Sequence, residues 1–241
     1  MQNIVIANYS IHSIALIRWA KENLGNDFCV LSVDTGFQAD SWDVYLQNAF
    51  KWLDSENIQY HHLKAENDFS KLVTARKQFP SQKFSWCASF LKGITLLDKI
   101  DEIDPDCEAT ILLAHRKDMS RASQLLKKNK DEEERYDFRP TFYPLIDLSF
   151  DDVKSLTKDI SFCQTTYRSL ECQPCIHTTI SDVQKISVKD IQKVIELETV
   201  SESYMFDNKS FDRAINSDSF RKNNIFEELS KACSWEYSCG L

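Results

Sequence analysis

The sequence predicts an α/β fold in which a mostly parallel sheet carries helices on both faces. Three observations predict it. Short apolar strands alternate with helical segments through the first half of the chain. Four glycines and five prolines in 241 residues are too few for a turn-rich all-β chain. Hydrophobic residues at 42% and charged residues at 27% are the composition of a folded domain.

The elements follow in order. Residues 3–7 read as an apolar strand, and 11–24 as a helix with Ile14, Ile17 and Leu24 on one face and Gly25 as its stop. A second strand at 28–33 ends in Asp34-Thr35-Gly36, and 42–56 is an amphipathic helix through Leu46, Phe50 and Leu53. Residues 59–63 and 110–114 are the third and fourth strands. The stretch between them, 69–103, reads as mostly helical with an interruption around Pro80. The charged run 127–135 reads as a solvated loop or helix end. Ser149 can cap a helix whose N3 residue is Asp152, and the tail reads as helical at 191–199 and 220–232.

No apolar run approaches the ~18–20 residues of a membrane span. The N-terminal residues lack the basic flank and long apolar core of a signal peptide, so the expectation is a cytoplasmic protein with no membrane association. A net charge of -8 argues against broad nonspecific DNA binding and leaves a local basic groove open. Eight cysteines in a chain of this kind do not read as a disulfide scaffold. Cys29 and Cys107 read as small buried apolar residues. Cys163, Cys172 and Cys175 crowd one short stretch with the spacing C-x8-C-x2-C and require another account.

In an open parallel sheet, ligands bind beyond the carboxyl ends of the strands. Three segments lie there: 8–13, 34–36 and 114–121. Asn8, Ser10 and Ser13 border the first, Asp34 can accept hydrogen bonds from a ribose or adenine, and Arg116 and Arg121 offer planar donors to phosphate or sulfate. Taken together they indicate an anionic, nucleotide-like ligand. Three soft thiolates in the 163–177 stretch suit Zn²⁺ or a [4Fe–4S] cluster equally well on geometry, with reduced, unligated cysteines as the alternative.

The order of motifs resembles the phosphoadenosine phosphosulfate (PAPS) reductase family of the adenine nucleotide alpha-hydrolase (PP-loop ATP pyrophosphatase) superfamily. The matching pieces are a strand and loop reaching Ser13, Val33-Asp34-Thr35-Gly36, Phe84-Ser85-Trp86-Cys87 with Leu91-Lys92, Arg116 to Arg121, and Tyr143-Pro144-Leu145-Ile146-Asp147. Cys172-Gln173-Pro174-Cys175 is similar to the family's C-terminal CxxC. The chain departs from the family at the PP-loop itself. Ser-Gly-Gly-Lys-Asp-Ser is replaced by Asn8-Tyr9-Ser10-Ile11-His12-Ser13, and Met119 stands where the second anion motif carries glutamate. Cys239-Gly240-Leu241 carries a fragment of the reductase tail.

The resemblance implies a Rossmann-like adenine nucleotide alpha-hydrolase fold at 1–160, a cysteine-bearing segment at 161–182 and a helical extension at 183–241. It implies nucleotide binding by Asn8, Ser10, Ser13, Asp34, Gly36, Arg116 and Arg121, and chemistry by Cys87, Lys92 and Arg116. It also implies a metal or cluster on Cys163, Cys172 and Cys175 with Cys87 as fourth ligand. His177 is the substitute fourth ligand and would favour zinc, whereas the resemblance to the iron–sulfur members tips the balance to the cluster. The activity implied is ATP- or adenylyl-sulfonucleotide-dependent sulfur metabolism or sulfur transfer, with partner proteins of such a pathway and nucleic acid left open as a sulfur acceptor. Two rivals stand beside it. One is a member whose decayed loop leaves it a metal-bearing partner or sensor subunit, and the other is redox catalysis by Cys172 and Cys175 as a dithiol.

Overall fold

The computed structural model describes residues 3–81, 84–119, 121–163, 170–178 and 186–206, with Arg121 and Ala122 described by their backbone alone. Five strands are parallel: β1 (Asn3–Ile6), β2 (Cys29–Asp34), β3 (Gln59–Lys64), β4 (Thr110–Leu112) and β6 (Arg139–Phe142). A sixth, β5 (Asn129–Glu133), runs antiparallel at the edge, and the order across the sheet is β3-β2-β1-β4-β6-β5. The expected α/β architecture is therefore present. The charged run expected as a loop or helix end is instead this edge strand. Its exposed Asn129, Lys130, Asp131 and Glu132 give it water on both faces, which suits an edge that must not pair with another chain.

Helices α1 (Ile11–Leu24), α2 (Trp42–Ser55) and α6 (Phe150–Thr157) cover one face of the sheet, burying Ile14, Ile17, Leu46, Leu53 and Val153 against Val5, Val30 and Leu112. Helices α3 (Phe69–Arg76), α4 (Ile94–Ile103) and α7 (Val188–Ser201) cover the other, packing Val73, Leu96, Ile100, Val194 and Leu197 against Ile4, Ile6, Leu31 and Ile111. A π-helical stretch, Ala88–Gly93, leads into α4, and a four-residue helix α5 spans Arg121–Gln124. Each fully buried aliphatic side chain contributes about 1.5–3 kcal/mol, so the two layers carry the stability of the sheet between them.

Helix starts follow the residues that can cap them. The Ser10, Asp68 and Ser187 side chains accept from backbone N–H groups three residues on. Ser149 and Asp152 close a full capping box, so aspartate serves where glutamate is usual. Cys29 is buried as expected, but Cys107 is exposed, because its turn after α4 places it at φ 57° on the surface. Among the described residues no helix is long and apolar enough to cross a membrane. The expected helix at 220–232, Cys233 and Cys239 lie outside the described residues.

Candidate functional site

The strand order reverses direction between β1 and β4, and such a switch point opens a crevice at the carboxyl ends of the strands. Two expected segments meet there. After β1 the chain turns through Tyr9, whose φ of 54° lies in the left-handed region where the resembled motif carries glycine. Tyr9 tolerates this because its ring is buried against Trp42 and Phe50, Tyr45 Oη donates to its carbonyl at 2.7 Å, and Ser32 Oγ donates to its hydroxyl at 3.3 Å. Burial holds the Tyr9 hydroxyl well above the ordinary range, partly offset by the Ser32 hydrogen bond.

The donors of this loop are engaged within the chain. Asn8 Oδ1 accepts from Ser10 N at 3.1 Å and from Ser13 Oγ at 3.0 Å, and Ser10 Oγ accepts from Ser13 N. Asn8, Ser10 and Ser13 are thus brought together and buried, as an internal hydrogen-bonded cap. Arg116, after β4, reaches across the switch point: Nη1 donates to His12 Nδ1 at 2.8 Å, while Nε and Nη2 grip Asp118 at 2.9 and 3.1 Å. A guanidinium has no acceptor, so His12 Nδ1 accepts and its proton sits on Nε2. His12 stands at the aspartate position of the resembled motif. Arg121 opens α5, and its side chain is not described.

The loop after β2 is held on its own carboxylate. Asp34 Oδ1 accepts from Gly36 N at 2.8 Å and from Gln38 Nε2. Gly36 adopts φ 69°, and a Cβ there would overlap the Asp68 Cβ at the start of α3, so only glycine fits. This loop then pairs with the cysteine segment. Gln173 N donates to the Phe37 carbonyl and Ala39 N to the Leu170 carbonyl, both at 2.9 Å, with Phe37 and Cys172 in a parallel bridge.

Three of the four expected ligand cysteines come together. Cys87, Cys172 and Cys175 line one cavity of about 20 Å³ with Lys92, Thr35, Phe37 and Met205. Cys163 does not join them. It packs on the opposite face of the sheet with the α1–α2–α6 core, where burial pushes its thiol up to about 11 against a lowering hydrogen bond with Thr157. His177 is half-buried beyond Cys175 and does not line the cavity. Three thiol donors suit a soft metal. The cavity, however, has room for about one water-sized atom. Among the described residues no group of three or more His, Cys, Asp or Glu side chains is placed to hold a metal ion. As they stand, these residues do not fit a cluster.

Lys92, expected to meet phosphate or sulfate, is instead buried in an ion pair with Glu171 Oε1 at 2.8 Å, the two side chains 1% and 2% exposed. Burial pushes the Glu171 carboxyl up, opposed by the charge and hydrogen bond of Lys92. Thr35 Oγ1 donates to the Glu171 carbonyl at 2.7 Å and lies 3.2 Å from Cys172 Sγ. Sequence reasoning missed Glu171, Thr35 and His12. Glu171 had one signal, its position next to the CxxC, which gave no hint of a lysine 79 residues away.

No family model and no curated protein matches the chain. Solved structures do. The U34-tRNA thiolase of Methanococcus maripaludis with its [4Fe–4S] cluster superposes with a TM-score of 0.52 at 13% identity, covering 99% of this chain and 77% of that one. The NMN synthetase of Francisella tularensis gives 0.50 at 11% identity, covering 83% and 84%. The PAPS reductase of Candida auris, as a phosphate complex, gives 0.49 at 16% identity, covering 70% and 81%. The sheet order and the first two superpositions agree, and the chain has the adenine nucleotide alpha-hydrolase fold of the PP-loop superfamily.

Proposed function

We propose that the chain is a PAPS-reductase-like protein of sulfur metabolism or sulfur transfer. It binds an adenine nucleotide or adenylyl sulfonucleotide at the strand ends and uses Cys87, Cys172 and Cys175 as its sulfur-bearing centre. The observation that carries the reading is the convergence of these three cysteines on one cavity whose wall, through Thr35 and Phe37, is the loop after β2. Cys87 arrives from the helical insertion after β3 and the other two from beyond α6, so local sequence proximity does not account for their meeting. Asp34, Gly36 and Arg116 are the proposed nucleotide contacts, Arg116 on exchanging Asp118 for the ligand's anion. Asn8, Ser10, Ser13 and Arg121 complete that site in this proposal. Lys92 acts through Glu171 as the buried countercharge of the cysteine centre. A [4Fe–4S] cluster or Zn²⁺ belongs to this reading as its cofactor, on the same three cysteines and after the cavity widens.

Two measurements on anaerobically purified protein test it: calorimetry with AMP and adenosine phosphosulfate, and analysis for iron, acid-labile sulfide and zinc. Micromolar binding of either nucleotide, lost in Arg116→Ala, is expected. Absence of binding by both nucleotides would overturn it, as would Cys87→Ser and Cys172→Ser variants that keep sulfur-transfer activity.

A second reading has its own observation. Asn8 Oδ1 already occupies Ser10 N and Ser13 Oγ, donors a phosphate would need, which favours a member that no longer cleaves ATP and serves as a partner subunit. Pyrophosphate release from ATP with Mg²⁺ would exclude it.

A further inference from the structure

The nucleotide loop and the cysteine centre share one piece of backbone, residues 36–40, and α7 clamps it from outside. Lys193 on α7 donates from Nζ to the Gln38 carbonyl at 2.6 Å, lies over the Phe37 ring at 4.3 Å from its centroid, and pairs with Asp190 at 3.1 Å. Asp190, 4% exposed, accepts from the Asp40 backbone N–H at 3.2 Å. Gln38 is therefore held twice, its carbonyl by Lys193 and its side chain by Asp34. Its neighbours Phe37 and Ala39 hold the segment that carries Cys172. The loop cannot shift at Asp34 without moving the strand partner of Cys172, because a hydrogen-bonded stretch this short moves as a unit.

We propose that Lys193 and Asp190 are positioning residues that fix the 36–40 loop and so couple occupancy of the Asp34 site to the exposure of Cys172. The proposal rests on the nucleotide reading above for its ligand, while the clamp itself does not. Coupling of this kind is reciprocal: a ligand that steadies the loop shields Cys172, and a loosened Cys172 segment weakens the ligand. Lys193 lies in the helical extension, remote in sequence from every motif that suggested the site.

The experiment follows alkylation of Cys172 by mass spectrometry, with Cys29 as the buried internal reference, in full-length wild type, Lys193→Met and Lys193→Arg. AMP affinity is measured in parallel by calorimetry. Without nucleotide, Lys193→Met is expected to speed Cys172 labelling by about 10-fold, the scale of one charge-assisted hydrogen bond, with Cys29 unchanged. In wild type, AMP should slow Cys172 labelling. That protection should vanish in Lys193→Met, which should bind AMP about 10-fold more weakly, and return in Lys193→Arg, a change a merely structural loss would not rescue. Labelling of Lys193→Met within twofold of wild type would overturn the clamp. AMP that binds wild type without altering Cys172 labelling would overturn the coupling and leave the nucleotide site standing. If wild type binds no AMP, the nucleotide reading and the coupling both fall, and the nucleotide-free arm still decides the clamp.

Discussion

Replacing Gly36 by alanine tests the loop on which both halves of the site depend. The residue sits at φ 69°, a conformation that costs an L-residue roughly 1–2 kcal/mol. The new Cβ would also overlap the Asp68 Cβ, with Asp68 Cα at 3.3 Å and Cγ at 3.4 Å. Those are main-chain and near-main-chain atoms that cannot swing aside, and Asp68 is fixed by capping Lys71 N at 2.7 Å. Overpacking of this kind costs roughly 1–3 kcal/mol. Gly36→Ala should therefore lose about 2–4 kcal/mol in urea unfolding with an unchanged m value. Asp68→Gly removes the clashing atom at a cost of only a few tenths of a kcal/mol for the cap. In that background the alanine should cost only the backbone share, so the double-mutant cycle should show a coupling of about 1 kcal/mol or more. A Gly36→Ala loss below about 0.5 kcal/mol, or a cycle with no coupling, would refute the packing argument.

Lys92→Met strands Glu171 in the interior and should cost about 3–5 kcal/mol, whereas Lys92→Met with Glu171→Leu should recover most of it; equal losses would show that the pair is not the source. Stability should fall as pH drops from about 7 to about 5, because burial holds His62 below its ordinary value of 6.5, only partly opposed by Asp34. The unfolded chain then takes up the proton first, so the contribution is complete above the unfolded value and is lost as pH falls through the folded one. His61 shifts the same way, and His62→Phe should flatten but not abolish the slope. At about pH 8 a soluble alkylating reagent should modify exposed Cys107 well before Cys29, whose thiol burial raises to about 11; the reverse order would place Cys29 outside the core.

What could be read in advance was what local chemistry dictates. The apolar runs of β1 and β2, the stop at Gly25, the capping box at Ser149 and Asp152, and the turn at Gly36 each depend on a few adjacent residues, and each appears in the structure. β5 was not legible because an edge strand needs no apolar face, so its charges read as a loop. The site was legible only where a motif marked it. Cys87, Cys172 and Cys175 were marked by spacing and by resemblance, but nothing local said that Cys163 would lie across the sheet from them. Lys92 was marked as an anion contact because a lysine near two strand ends suggests one. Its partner is the side chain of Glu171, and no short-range pattern predicts a pairing across that distance. The grip of Lys193 on a backbone carbonyl leaves no side-chain signature at Gln38 at all.

The altered loop and the cysteine cavity bear on each other through the energetics of the strand ends. A phosphate at residues 8–13 would have to displace the Asn8 carboxamide from Ser10 N and Ser13 Oγ, and it would find no loop lysine to repay that exchange. Arg116 could help only by releasing Asp118, which holds it through two hydrogen bonds. The loop after β2 makes a smaller demand, since the Asp34 carboxylate keeps a second oxygen beyond the one engaged by Gly36 N and Gln38. Binding energy therefore concentrates at the nucleoside end of any adenine ligand, against the same loop that walls the cysteines. A fold that in its usual form draws strength from the triphosphate here retains the half that places a nucleoside beside sulfur.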